Sequence, residues 1–206
     1  MAHTGAPQVS AGDLDAYYDH LRGRLVAASV TDDIGRSVDQ STAVTRAIDC
    51  VRAAHAAGNK LIFIGNGGSA AIASHMATDY SKNGNLRSLA LNDGSMLTCL
   101  GNDLGYENVF AKQIDMLANA GDVLIAISSS GRSANILNAV EVARKRGCTI
   151  ITLSGFEPDN PLRTKGSLNF YVKSRQYGYV EIGHLAMCHA ILDFACGLHP
   201  STDRDG

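Results

Sequence analysis

Residues 61–75 read LIFIGNGGSAAIASH. Leu61 to Ile64 form a short, wholly apolar run, and a glycine-rich turn, Gly65 to Ala70, follows it directly. A run of that length, bounded by glycine and followed by a helix-compatible segment, predicts a buried parallel strand over 61–65 that feeds a crossover helix over about 69–81. The pattern recurs downstream. RSLAL (87–91) leads into helical sequence to about residue 119, and VLIAIS (123–128) into a periodic helix over 133–146. CTIITLS (148–154) and LNFYV (168–172) are the fourth and fifth strands, and a last helix covers about 180–197. Apolar strands alternating with helices predict an α/β fold, with a doubly wound, five-stranded parallel sheet covered on both faces.

Upstream of this pattern the sequence reads as helical. Leu14, Tyr17, Tyr18, Leu21, Leu25 and Val26 recur at helical spacing within 13–30. Val38, Val44, Ile48 and Val51 do so within 37–57, which Gly58 closes. The expected organisation is one domain over 13–198, with two N-terminal helices as a preface (13–58) and a sheet domain (60–198). Residues 1–12 and 199–206 are expected to be flexible ends. The apolar faces of the two leading helices require a cover, either the sheet domain or another subunit.

Composition sets outer limits. The 206 residues are 45% hydrophobic and 18% charged, with a formal charge of −2, which gives no electrostatic case for nucleic acid or a membrane surface as partner. No apolar run nears the ~18 residues of a membrane span, and the N-terminus lacks a signal-like apolar region. The five cysteines are widely spaced with no CxxC, as expected of reduced, mostly buried thiols in a cytoplasmic protein.

Two loops carry the chemistry. In a doubly wound sheet, ligands bind beyond the carboxyl ends of the strands where the strand order reverses, which singles out the loops after the first and third strands. The first loop, Gly65-Asn66-Gly67-Gly68-Ser69-Ala70, lets a ligand approach the backbone closely and ends at a helix N-terminus, which favours an anion. The second, Ser128-Ser129-Ser130-Gly131-Arg132-Ser133, sets four hydroxyls around a glycine, where capping a helix would require one. The second loop is neither a Walker motif, since GKS/T is absent, nor GxGxxG, so a nucleotide is disfavoured. Beyond the first loop, His75 and Asp79 stand at i, i+4 and share a helix face. The last helix carries Glu181, His184 and His189. Glu181 and His189 lie eight residues apart, roughly 12 Å on an ideal helix, so they reach one ion only if the helix starts after Glu181 or long side chains lean together. His184 is expected to be a packed or interface histidine.

GNGGSAAIASH (65–75), NDGSMLTCLGNDLGYENVF (92–110), AISSSGRSANIL (126–137) and EIGHLAMCH (181–189) resemble the SIS family of phosphosugar isomerases and binders, and most closely its phosphoheptose isomerase branch. The resemblance covers nearly the whole chain. It implies a flavodoxin-like sheet of order 2-1-3-4-5, a homotetramer with active sites between subunits, and conversion of sedoheptulose 7-phosphate to D-glycero-D-manno-heptose 7-phosphate. It places the phosphate on Ser69, Ser128, Ser129, Ser130 and Ser133 beside Gly67, and the sugar hydroxyls on Asn66 and Asp93, with Glu181 also among the substrate contacts. Isomerases of the family hold zinc with a histidine and a glutamate on the first helix and a glutamine and a histidine on the last. Those positions match His75, Asp79, Glu181 and His189, so Asp79 stands where glutamate is usual and Glu181 where glutamine is usual. The mechanism this implies has Asp79 or Glu181 as base, His189 as acid, and zinc polarising the substrate oxygens. The alternatives are a non-catalytic SIS protein that binds a phosphosugar or a replication initiator, and an isomerase of a related sugar phosphate.

Overall fold

A computed structural model describes residues 8–199 and residue 201. Helix α1 (Ala11–Val26) opens with a reciprocal capping box, in which Ser10 accepts from the Asp13 amide and Asp13 accepts from the Ser10 amide. The structure departs from the expected helical preface immediately after α1. Ser29–Asp32 (β1) and Ser37–Val38 (β2) form an antiparallel hairpin. Its turn is held by the Asp32 carboxylate, which accepts from the amides of Ile34 and Arg36, and by Gly35 at φ +79°. Helix α2 (Gln40–Ala56) then starts at an Asp39 N-cap. Gln40 donates to the carbonyls of Val26 and Ala28, fastening the start of α2 to the end of α1.

The remaining elements follow the expected alternation. They are β3 (Leu61–Ile64), α3 (Gly68–Lys82), β4 (Ser88–Ala90), α4 (Gly94–Leu104), a 3₁₀ turn at Tyr106–Asn108, α5 (Val109–Leu117), β5 (Val123–Ser128), α6 (Ala134–Lys145), β6 (Thr149–Ser154), a 3₁₀ turn at Pro161–Thr164, β7 (Leu168–Tyr171) and α7 (Tyr177–Ala195). The sheet runs β2-β1-β7-β6-β5-β3-β4. Its five parallel strands keep the expected 2-1-3-4-5 order, and the hairpin extends it to seven, with β1 antiparallel to β7. The extra strands arise because β7 would otherwise be an open edge; Val30, 1% exposed, enters the core there.

Alternate strand residues serve opposite faces. Leu61, Phe63, Val123, Ile125, Ile151 and Phe170 pack with α2, α3 and α7. Ile62, Ile64, Leu124, Ala126 and Ile150 pack with α5 and α6. The chain leaves β3 toward β4 and returns to β5 on the other side of β3, so the loops after β3 and β5 meet at the switch point. Among the described residues, no helix is long and apolar enough to cross a membrane. The cysteines are free, but only Cys188 is buried; Cys50 and Cys148 are half-buried and Cys99 and Cys196 exposed, which corrects the expectation of mostly buried thiols.

Residues 1–7, 200 and 202–206, to which most of the expected flexible ends belong, lie outside the described residues. Gly12, assigned to the flexible N-terminus from sequence, stands inside α1.

Candidate active site

The serine loop and the glycine loop face each other across a cleft of about 240 Å³, lined by Asn66, Gly67, Gly68, Ser69, Ser128, Ser129, Ser130, Ser133, Tyr177 and Glu181. Helix α3 begins behind Gly67, a residue at φ +54° that offers no side-chain cap. Helix α6 begins behind Ser133, whose hydroxyl makes no cap bond either. Each start therefore leaves first-turn amides without a capping side chain, and the summed peptide dipoles add partial positive charge. The hydroxyls of Ser128 and Ser130 accept from the amides of Gly131 and Arg132, which fixes the serine loop; the Ser130 O–H stays available to donate, and Ser128 Oγ lies 3.4 Å from Ser133 Oγ. Arg132 is exposed and turned toward Asp159 at 3.3 Å, so the cleft offers neutral donors rather than a basic side chain. Such a lining suits a phosphate monoester.

Glu181 shares this cleft, with its carboxylate resting on Gly68: a Cβ built there would meet Glu181 Oε1 at 2.5 Å. Tyr177, which sequence reasoning missed, closes the same side.

The second group lies farther along the same two helices. His75, Asp79 and His189 bring one ligand atom each within 4.8 Å of one another. His75 Nε2 stands 3.4 Å from Asp79 Oδ2, and the two imidazole rings lie 5.5 Å apart. The i, i+4 spacing on α3 supplies the first pair, and the packing of α3 on α7 supplies His189. Tyr80, fully buried against Phe63, donates its hydroxyl to the Cys188 carbonyl at 3.0 Å, tying the turn that carries Asp79 to the turn that carries His189. Two imidazoles and a carboxylate match the three-ligand pattern of catalytic zinc sites, with ligand distances near 2.0–2.2 Å. Atoms already this close need only small side-chain rotations to meet one ion.

Glu181 does not join that group. Helix α7 starts at Tyr177, ahead of Glu181, so the rise of ~1.5 Å per residue carries His189 about 12 Å from Glu181 along the axis. The four-residue ligand set implied by resemblance thus divides into three convergent residues and one carboxylate in the serine cleft.

Asp93 is exposed and caps α4 by accepting from the Met96 amide at 2.8 Å; it is not among the residues lining the cleft. Asn66 lines the cleft, but its amide is engaged by Asn135 and Tyr106. His184 is fully buried with Nε2 3.0 Å from the Ser154 carbonyl. Burial pushes its pKa down to about 4, which agrees with a packed histidine.

Comparison with known proteins agrees with this geometry. The SIS domain profile matches residues 27–155. The chain belongs to the SIS domain family. The phosphoheptose isomerase of Citrifermentans bemidjiense is 38% identical over 159 residues, covering 74% of this chain and 82% of that protein. That of Rhodospirillum rubrum is 35% identical over 181 residues, covering 85% and 94%. The structure of the phosphoheptose isomerase of Neisseria gonorrhoeae superposes with a TM-score of 0.75 at 27% identity, covering 91% of this chain and 98% of that one. Within the SIS family the chain lies on the phosphoheptose isomerase branch.

Proposed function

We propose that this SIS protein is an aldose–ketose isomerase that interconverts sedoheptulose 7-phosphate and D-glycero-D-manno-heptose 7-phosphate, a precursor step for surface polysaccharide. One observation carries the reading. Helices α3 and α7 run side by side in the same direction, with Gly68 against Glu181 at one end and His75 against His189 at the other. The anion cleft and the acid–base group are therefore about 10–12 Å apart along the helices. That span suits a long open-chain sugar anchored by its terminal phosphate, and it is too great for a triose phosphate. Binding energy at the distal phosphate then holds the reacting carbons still.

In the proposed reaction, Asp79 takes a proton from C1 of the ketose, and after exchange with solvent at that carboxylate a proton is delivered to C2 of the enediol. Its carboxylate has two oxygens, so one can serve as base while the other is engaged elsewhere. His189 moves the second proton between the oxygens of C2 and C1. His75, Asp79 and His189 would hold zinc, which when bound supplies Lewis-acid polarisation of the substrate oxygens. The convergence of these three side chains supports the enzyme over a purely regulatory phosphosugar or initiator binder.

Assembly as a tetramer belongs to the same proposal. Helix α1 has no buried residue, and Leu14, Tyr18 and Val26 are 47%, 59% and 69% exposed, an apolar surface that a second copy would cover. A cytoplasmic location belongs to the same proposal.

Turnover of phosphosugars of graded length tests the reading. Sedoheptulose 7-phosphate should be converted, and dihydroxyacetone phosphate, whose phosphate can occupy the cleft but whose carbons fall short of the acid–base group, should not be converted. Equal use of the triose would remove the length argument.

A further inference from the structure

The ladder between β3 and β5 ends at the pair Ile64 and Ala126, yet the phosphate cleft is built from the loops beyond it. Something past the sheet must hold those loops at a fixed separation. Asn66 Nδ2 donates to Asn135 Oδ1 at 2.9 Å, and Asn135 Nδ2 donates back to Asn66 Oδ1 at 2.9 Å. The Tyr106 hydroxyl donates to the same Asn66 oxygen at 3.1 Å. Asn135 is 3% exposed, on the first turn of α6 two residues after Ser133. Asn66 stands two residues before Gly68, where α3 begins. The reciprocal amide pair thus joins the start of one uncapped helix to the start of the other.

We infer that Asn135 is a positioning residue for substrate phosphate: its amide pair with Asn66, braced by Tyr106, sets the spacing between the glycine and serine loops. This rests on the phosphosugar reading of the cleft. The chemistry requires asparagine at both positions, since only a side chain that donates and accepts at the same length can close the pair in both directions. An aspartate at 135 would accept from Asn66 but could not donate to it, and would add a negative charge beside a site for an anion. A leucine would fill the volume and leave the polar atoms of Asn66 short of partners. Asn66 has its amide oxygen and one amide hydrogen engaged here, so its contribution to binding is largely to shape the cleft. The sequence carries a faint signal of this: Asn135 follows SSSGRSA directly, at a first-turn position where asparagine is a modest helix former.

The test measures the affinity of the full-length protein for inorganic phosphate by calorimetry, and KM and kcat for sedoheptulose 7-phosphate. The proteins compared are wild type, Asn66→Ala, Asn135→Ala and the double variant. Asn135→Ala should weaken phosphate binding and raise KM roughly tenfold, with kcat moving far less, because the acid–base group lies at the other end of the helices. The double variant should be no weaker than either single variant, since each breaks the same pair. If Asn135→Ala melts too low to assay, Asn135→Asp, which keeps the volume, should show a larger affinity loss with the fold retained. Unchanged phosphate affinity in Asn135→Ala or Asn135→Asp, or additive losses in the double variant, would overturn the inference. A wild-type protein that binds neither phosphate nor phosphosugar would instead overturn the reading of the cleft itself, and the inference with it.

Discussion

Gly131→Ala should damage the phosphate cleft, and its cost can be worked from the structure. Gly131 sits in the middle of the serine loop at φ +61°, a conformation that costs an L-residue about 1–2 kcal/mol. The added methyl would also lie 1.9 Å from Asn160 Oδ1. Asn160 cannot easily retreat. It is 1% exposed and donates to Ser154 Oγ, the Gly155 carbonyl and the Glu157 carbonyl at 3.3, 3.2 and 2.8 Å. Displacing it breaks at least one of these bonds at about 0.5–1.5 kcal/mol each. The combined loss of stability should be about 2–4 kcal/mol, a fall in Tm of roughly 5–15 °C for a chain of this size. Ser128, Ser129 and Ser130 move with the loop, so affinity for inorganic phosphate should fall by at least about tenfold. Gly35→Ala is the control. Gly35 has φ +79° in the hairpin turn, and a Cβ there would meet nothing within 4 Å. That variant should lose stability by the backbone term alone and bind phosphate normally. Calorimetric melting and phosphate titration of both proteins decide the matter. If Gly131→Ala melts and binds like wild type, the packing of Asn160 on the serine loop is not what holds the cleft open.

Three further outcomes follow from the same geometry. Glu181→Gln should lower KM for the phosphosugar several-fold, because it removes a carboxylate from a cleft built for a phosphate; a collapse of kcat without that gain would place the base on Glu181 instead of Asp79. Exhaustive chelation should abolish turnover and zinc should restore it, with His75→Ala and His189→Ala binding less than one zinc per chain by elemental analysis; full activity in a metal-free preparation would remove the ion from the account. His184 should impose an acid-side loss of stability. Unfolded, it protonates near its ordinary value of 6.5, whereas in the fold burial holds it neutral down to about 4. Its contribution is therefore complete above pH 6.5 and declines as the pH falls toward 4, by about 3 kcal/mol in all. Denaturant titrations of wild type and His184→Gln across that range should differ in slope, and parallel curves would assign the acid sensitivity elsewhere.

Much of this molecule was legible in local sequence. LIFIG followed by GNGGSA, and VLIAIS followed by SSSGRS, state strand, turn and helix start by composition alone, and the switch-point rule brings the two loops together. The i, i+4 pair His75 and Asp79 needed only helical periodicity. What was hidden depended on contacts remote in sequence. Ser29 to Val38 reads as the flank of two helices, and becomes a hairpin because β7 offers an open edge for Val30 to pack against. The separation of Glu181 from His189 turned on where α7 begins, and helix boundaries are the least legible feature of a sequence. The role of Asn135 rests on a contact that local sequence does not show, because its partner lies 69 positions away.

The most direct test of the central claim is incubation of metal-analysed protein with sedoheptulose 7-phosphate in deuterated water, followed by NMR, beside His189→Ala. The account predicts a heptose 7-phosphate aldose carrying deuterium at C2, formed by wild type and lost or severely slowed in the variant. Binding of the sugar phosphate without conversion, at full zinc occupancy, would contradict the isomerase and leave a phosphosugar-binding SIS protein in its place.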